Sequence, residues 1–181
     1  MTADIPSDHE EDTAVSSTDP TATPHTGGFV LGVDEGNAIF WLGSLTITKV
    51  GGQSTKGGVD IVDHRVPAGY APPRHVHRSQ DETFYVLEGH FTFRCGDQTW
   101  QAGPGSLGFL PRDVPHGFAV SDDGPGRTLL INAPAGFTEV ISELGEHASE
   151  LVVPGPDVAM PGPARIKAIS EAHGIFGAPE R

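Results

Sequence analysis

From Phe29 onward, short apolar runs alternate with polar turns rich in glycine and proline. Residues 38–49 (AIFWLGSLTITK) read as one or two strands broken at Gly43, and residues 59–66 as another. Further strands are expected over 82–87, Phe91–Cys95, 99–101, 106–110, His116–Val120 and 128–132. Residues 51–58 form a polar, Gly-rich connection and residues 67–74 a Pro-rich turn. Glu88-Gly89, Gly96-Asp97, Gly103-Pro104-Gly105 and the segments 111–115 and 122–126 punctuate the rest. Strands recurring at about 8–12 residues predict an all-β sandwich or barrel. Helical periodicity enters late. Phe137, Val140, Ile141 and Leu144 fall at i, i+3, i+4 and i+7, one apolar face that Gly145 ends. Residues 163–173 set Ile166, Ile169 and Ala172 on one side, with Gly174 as the stop. Two short C-terminal helices packed outside the β body are therefore expected.

Composition divides the chain. Residues 1–28 carry six acids, no Lys or Arg and little to bury, so they read as a disordered acidic tail that also contains His9 and His25. Residues 29–150 read as the barrel, and 151–181 as a C-terminal extension with a helix. The net charge of −13 argues against nucleic acid or an anionic membrane as a partner. No apolar run reaches the roughly 18 residues of a membrane helix. No basic segment followed by an apolar one opens the chain, so a secretory leader is not expected. The single cysteine, Cys95, excludes an internal disulfide and a Cys-based zinc site. It is expected to be buried and inert, and the protein to be cytoplasmic.

The candidate chemistry lies in two segments. His75 and His77 are two apart, so on a strand both imidazoles project from one face. Glu82, Phe84 and Val86 share a face of the next strand. The spacing is G-x5-H-x-H-x4-E-x6-G from Gly69 to Gly89. A second segment, Gly105-x5-Pro111-x4-His116, brings a third imidazole. Three imidazoles and a carboxylate suit one divalent transition metal per chain, among Fe, Ni, Mn, Co, Cu and Zn, with positions left open for substrate or O₂.

Residues 69–89 resemble the first motif of the cupin superfamily, and residues 105–116 its second. The order of features from Ala38 to Gly177, including ETFYVLEG, GFLPRDVPH and NAPAGFTEVISELG, is similar to bacterial single-cupin proteins related to quercetin 2,3-dioxygenase. The resemblance implies a cupin β-barrel or jelly roll with metal ligands His75, His77, Glu82 and His116. It implies a metal-dependent dioxygenase that cleaves a flavonol or similar planar enol-bearing aromatic with O₂, Glu82 being both ligand and general base. A cupin cyclase, isomerase or other oxygenase of secondary metabolism would use the same ligands. A non-catalytic small-molecule-binding cupin would keep them without turnover. The resemblance also implies a homodimer, for which the lead strand Ile39-Phe40-Trp41-Leu42 offers an apolar face. Two positions depart from the motif: Asp113 replaces its second glycine, and Val120 an asparagine.

The remaining candidates take structural readings. His64, His90, His147 and His173 read as surface or helix histidines. Phe84, Phe91, Phe93, Trp100, Phe109 and Phe118 read as barrel core, with Phe84 and Phe118 also candidates for the substrate wall. Residues 103–108 match G-x-G-x-x-G, but a strand follows where a dinucleotide site needs a helix.

Overall fold

The computed structural model describes residues 27–155 and 158–179, so the expected acidic tail falls almost entirely outside it. Among the described residues the strands are β1 (Asn37–Trp41), β2 (Ser44–Val50), β3 (Asp60–Val66), β4 (His75–His77), β5 (Asp81–Glu88), β6 (Phe91–Cys95), β7 (Gln98–Ala102), β8 (Leu107–Leu110), β9 (His116–Val120), β10 (Gly126–Ala133), β11 (Glu146–His147) and β12 (Ile175–Gly177). The helices are α1 (Gly52–Thr55), α2 (Phe137–Leu144) and α3 (Pro163–Ala172).

Two antiparallel sheets form the body, ordered β11-β1-β2-β3-β10-β5-β8 and β12-β4-β9-β6-β7. Each strand places alternate residues inward. On β5, Glu82, Phe84 and Val86 are buried while Tyr85 faces out. Val62, Phe84, Val86 and Leu130 meet Phe91, Phe93, Phe118 and Val120 of the other sheet in one core. The Phe84 ring lies 5.2 Å from Phe93 and 5.1 Å from Phe118. This is the two-sheet jelly roll expected of the sequence. The break at Gly43 is a two-residue turn in which Leu42 (φ 46°) and Gly43 (φ 80°) are both left-handed, the geometry that joins twisted antiparallel strands.

Helix α2 turns Phe137, Val140, Ile141 and Leu144 into the core, the face expected from their spacing. Helix α3 buries no residue fully, and Ile166 and Ile169 are half-buried against the core. Residues 103–106 make a turn that leads into β8, so the glycine pattern there supports no dinucleotide site.

Several expectations are corrected. Residues 51–58 hold the short helix α1. Trp100 and Phe109 are 49% and 57% exposed instead of core. Phe109 pairs with Thr83 on the outward face, while its neighbour Leu110 points in. Trp100 pairs with Phe93 but lies on the edge strand β7, which is open to solvent. In the lead strand and the turn after it, Phe40, Trp41 and Leu42 are half-buried. Ile39 is buried in the core, and β11 pairs along the strand's edge. His147 is exposed, as expected, and lies in β11 just beyond the end of α2. His64 is not at the surface: it is buried on β3, facing inward. Cys95 is half-buried instead of fully buried. No helix among the described residues is long and apolar enough to cross a membrane.

Candidate metal centre

His75, His77, Glu82 and His116 converge. Each offers one ligand atom, and these atoms all lie within 4.8 Å of one another. The sheets explain how residues distant in sequence meet. β4 presents both of its histidines, and His75 pairs directly with His116 of β9. Glu82 enters from β5, in the facing sheet. Its Oε1 lies 3.9 Å from His77 Nε2 and its Oε2 3.5 Å from His116 Nε2.

Local hydrogen bonds set the imidazoles. His75 Nδ1 lies 3.0 Å from the Pro73 carbonyl, and His116 Nδ1 lies 2.9 Å from that of Val114. A carbonyl only accepts, so each Nδ1 carries the proton and each Nε2 keeps a bare lone pair for the centre. Nε2 of His77 and Nε2 of His116 are buried and have no hydrogen-bond partner. Both proline-bearing turns thus do more than reverse the chain, because their carbonyls orient ligands.

The charge states suit a cation. Burial pushes His75 and His77 below the ordinary imidazole range, His77 to about 4 against the opposing pull of Glu82. Burial alone would raise Glu82, but the surrounding imidazoles, His77 foremost, outweigh it and hold the carboxyl at about 2. At neutral pH His75 and His77 are therefore neutral imidazoles and Glu82 is a carboxylate, the protonation state that metal binding requires. Orphaned nitrogens, an ionised carboxylate buried at 3% exposure and the N₃O donor set all fit a divalent transition metal.

Residues that the motif left out complete the surroundings. Asn132 of β10 stands directly opposite Glu82, on the same inward face, with both amide atoms buried and unpartnered. The Phe137 ring lies 5.7 Å from His77. Phe84 and Phe118 both face the interior, and Phe118 lies 6.1 Å from the buried His64. Asp113 departs from glycine yet keeps the left-handed backbone (φ 64°) that glycine favours. Asp tolerates that conformation better than most residues. Its amide donates to the His77 carbonyl at 2.8 Å, and its carboxylate accepts from Arg78 at 2.8 Å. The chain after the ligand strand is therefore held where the usual glycine would hold it.

The cupin domain family model matches residues 62–132, which span β3 to β10 and contain all four cluster residues. The structure of KdgF from Halomonas sp. is similar with a TM-score of 0.54 at 17% identity, covering 63% of this chain and 99% of that one. The Cnp3 cupin domain of Schizosaccharomyces pombe gives 0.51 at 13% identity, over 61% and 76% respectively. No curated protein matches the sequence. Residues 62–132 thus match the cupin domain, and the two-sheet barrel that holds the three-histidine, one-glutamate cluster has the cupin fold.

Proposed function

We propose that the protein is a metal-dependent ring-cleaving dioxygenase for a flavonol or a similar planar, enol-bearing aromatic. The observation that carries the metal-enzyme reading is the cluster of His75, His77, Glu82 and His116, the last three of them buried, with Nε2 of His77 and of His116 unpartnered. The oxygenative step rests on the resemblance of residues 38–177 to quercetinase-like single cupins. A divalent transition metal bound there supplies Lewis-acid polarisation and a template for the reactants.

The chain's own residues do the remaining work. His75 and His116 are fixed by the Pro73 and Val114 carbonyls, so they hold their positions without reorganising. Glu82 Oε1 and Oε2 face the centre, and the carboxylate takes the proton of the substrate enol. Asn132, beside Glu82, has a free amide to hold the carboxylate's orientation or a substrate oxygen. Phe84, Phe118 and Phe137 exclude water from the interior and offer ring faces to a planar ligand.

A second reading, metal-dependent isomerisation or cyclisation, has one observation in its favour. His64 is an additional neutral imidazole on the interior wall, and proton-transfer chemistry uses two acid–base groups. Metal content by mass spectrometry, followed by O₂-electrode traces with quercetin after loading with Ni, Mn, Co or Fe, tests both. Metal-dependent O₂ uptake with release of CO supports the dioxygenase. About one metal per chain with no uptake overturns it and leaves the cyclase, isomerase and non-catalytic binding readings.

A further inference from the structure

The interior wall carries polar atoms that the metal cluster does not use. Ser44, His64 and Thr128 lie on neighbouring strands of the larger sheet and are each at most 2% exposed. His64 and Thr128 stand opposite each other in the β3–β10 register, both on the inward face that bears Val62, Leu130 and Phe84. The His64 ring lies 6.1 Å from Trp41, from Tyr70 and from Phe118. The chain from Trp41 to the cluster is short in space, because Trp41 packs on Phe137 at 5.4 Å and Phe137 lies 5.7 Å from His77.

Hydrogen bonding decides which atoms remain available. Ser44 Oγ donates its single proton to the Trp41 carbonyl at 2.6 Å. His64 Nε2, 3.0 Å from the same Oγ, must therefore be the donor in that contact. Its Nδ1 is left as a bare acceptor, buried and without a partner. Burial pushes the His64 pKa down to about 4, so the ring stays in this neutral tautomer. Trp41 Nε1–H is an unpartnered buried donor, and Thr128 Oγ1 is unpartnered as well. One wall thus offers an acceptor, a donor and a hydroxyl. A fold retains such groups only where a ligand or ordered water completes them.

We propose that His64 Nδ1, Trp41 Nε1 and Thr128 Oγ1 form a polar subsite for a hydroxyl that the substrate carries away from its metal-binding end. This rests on the metal-enzyme reading above and narrows it: the substrate is polyhydroxylated, not merely a flat apolar aromatic. The hydroxyl donates to His64 and accepts from Trp41, pairings that a methyl group in its place cannot make.

The test uses full-length protein loaded with Zn²⁺, which is diamagnetic and redox-silent, and two probes. Kojic acid and allomaltol share one chelating enol–ketone pair and differ by a single remote hydroxyl. Calorimetry is expected to show kojic acid binding on the order of tenfold more tightly. The Trp41 indole N–H resonance, distinguished from Trp100 with W100F, is expected to move with kojic acid and not with allomaltol. His64→Leu is expected to abolish the preference while leaving metal content and allomaltol affinity unchanged. Failure to load Zn²⁺ would overturn the functional reading and the subsite with it. Loading of Zn²⁺ with equal affinities, no binding of either probe, an unmoved indole, or a preference that survives His64→Leu would overturn the subsite alone and leave ordered water as the wall's partner.

Discussion

Asp60 holds the start of helix α2 through Thr138: Oδ1 accepts from Thr138 Oγ1 and Oδ2 from Thr138 N, each at 3.1 Å. Oδ2 also accepts from Gly136 N at 2.7 Å. The helix has no cap from its own flanking residue, so a buried carboxylate on β3 serves instead. This places Phe137 against both Trp41 and His77. Asp60→Ala orphans three donors and is expected to lower stability by about 2–3 kcal/mol. Urea denaturation of the metal-free protein checks it; a midpoint within error of wild type would show that α2 is held by its apolar face alone.

Glu82→Gln separates ligation from proton transfer. The amide keeps the shape and one coordinating oxygen but cannot take a proton. The variant is expected to retain metal, at lower affinity, and to lose turnover by a factor on the order of 10²–10⁴. Metal analysis alongside O₂ uptake is the measurement. Activity near wild type with full metal content would remove Glu82 from the role of base.

The cluster was legible in the sequence because its geometry follows from period-two alternation and from motif spacing. His75 and His77 need only one strand, and the approach of His116 and Glu82 comes with the cupin resemblance. What was not legible depended on partners far away in the chain. Asp60 and Thr138 are 78 residues apart, and no local pattern announces that a strand carboxylate caps a distant helix. His64 looked like a surface residue because polar residues flank it. In the fold, Asp63 and Arg65 lie on the opposite face of the sheet, where Asp63 is buried beneath its pairs with Arg65 and Arg127, and His64 turns into the core. Alternation along β3 held that signal, since Val62, His64 and Val66 share a face. Trp100 and Phe109 failed for the converse reason: aromatic character alone does not say which side of a strand, or which edge of a sheet, a residue occupies.

His64 should make the protein acid-labile. Its pKa is about 4 in the fold against 6.5 for a free imidazole, so the unfolded chain binds more protons between those values. The contribution is fully present above pH 6.5 and is lost as pH falls toward 4, for a total of about 3 kcal/mol. His75 and His77 shift in the same direction in the metal-free protein, so the comparison must isolate one residue. Between those pH limits, His64→Leu is expected to show a shallower dependence of unfolding free energy on pH, by at most about 1.4 kcal/mol per unit. Parallel curves for wild type and variant would place the acid sensitivity elsewhere.

The C-terminal strand is expected to support the metal site from outside the matched domain. β12 pairs Ile175 with His77, Phe176 with Val76 and Gly177 with His75, so it forms the outer neighbour of the ligand strand. Arg78 N donates to the Gly174 carbonyl at 2.8 Å, and Ala178 N to that of Arg74 at 2.9 Å, clamping β4 at both ends. β4 is only three residues long and pairs with β9 through a single register position. Without β12 it would be an edge held mainly by its turns. Removing residues 174–181 is therefore expected to weaken metal affinity by about 10–100-fold, the range seen when groups that orient ligands are lost. The truncated protein should keep the core of Phe84, Phe93 and Phe118, since β12 supplies only Ile175 to it. Competition with a chelating dye measures the affinity, and near-ultraviolet circular dichroism reports the core. Wild-type metal affinity in a truncated protein with an intact core would mean that the Pro73 and Val114 carbonyls suffice to hold the histidines in place.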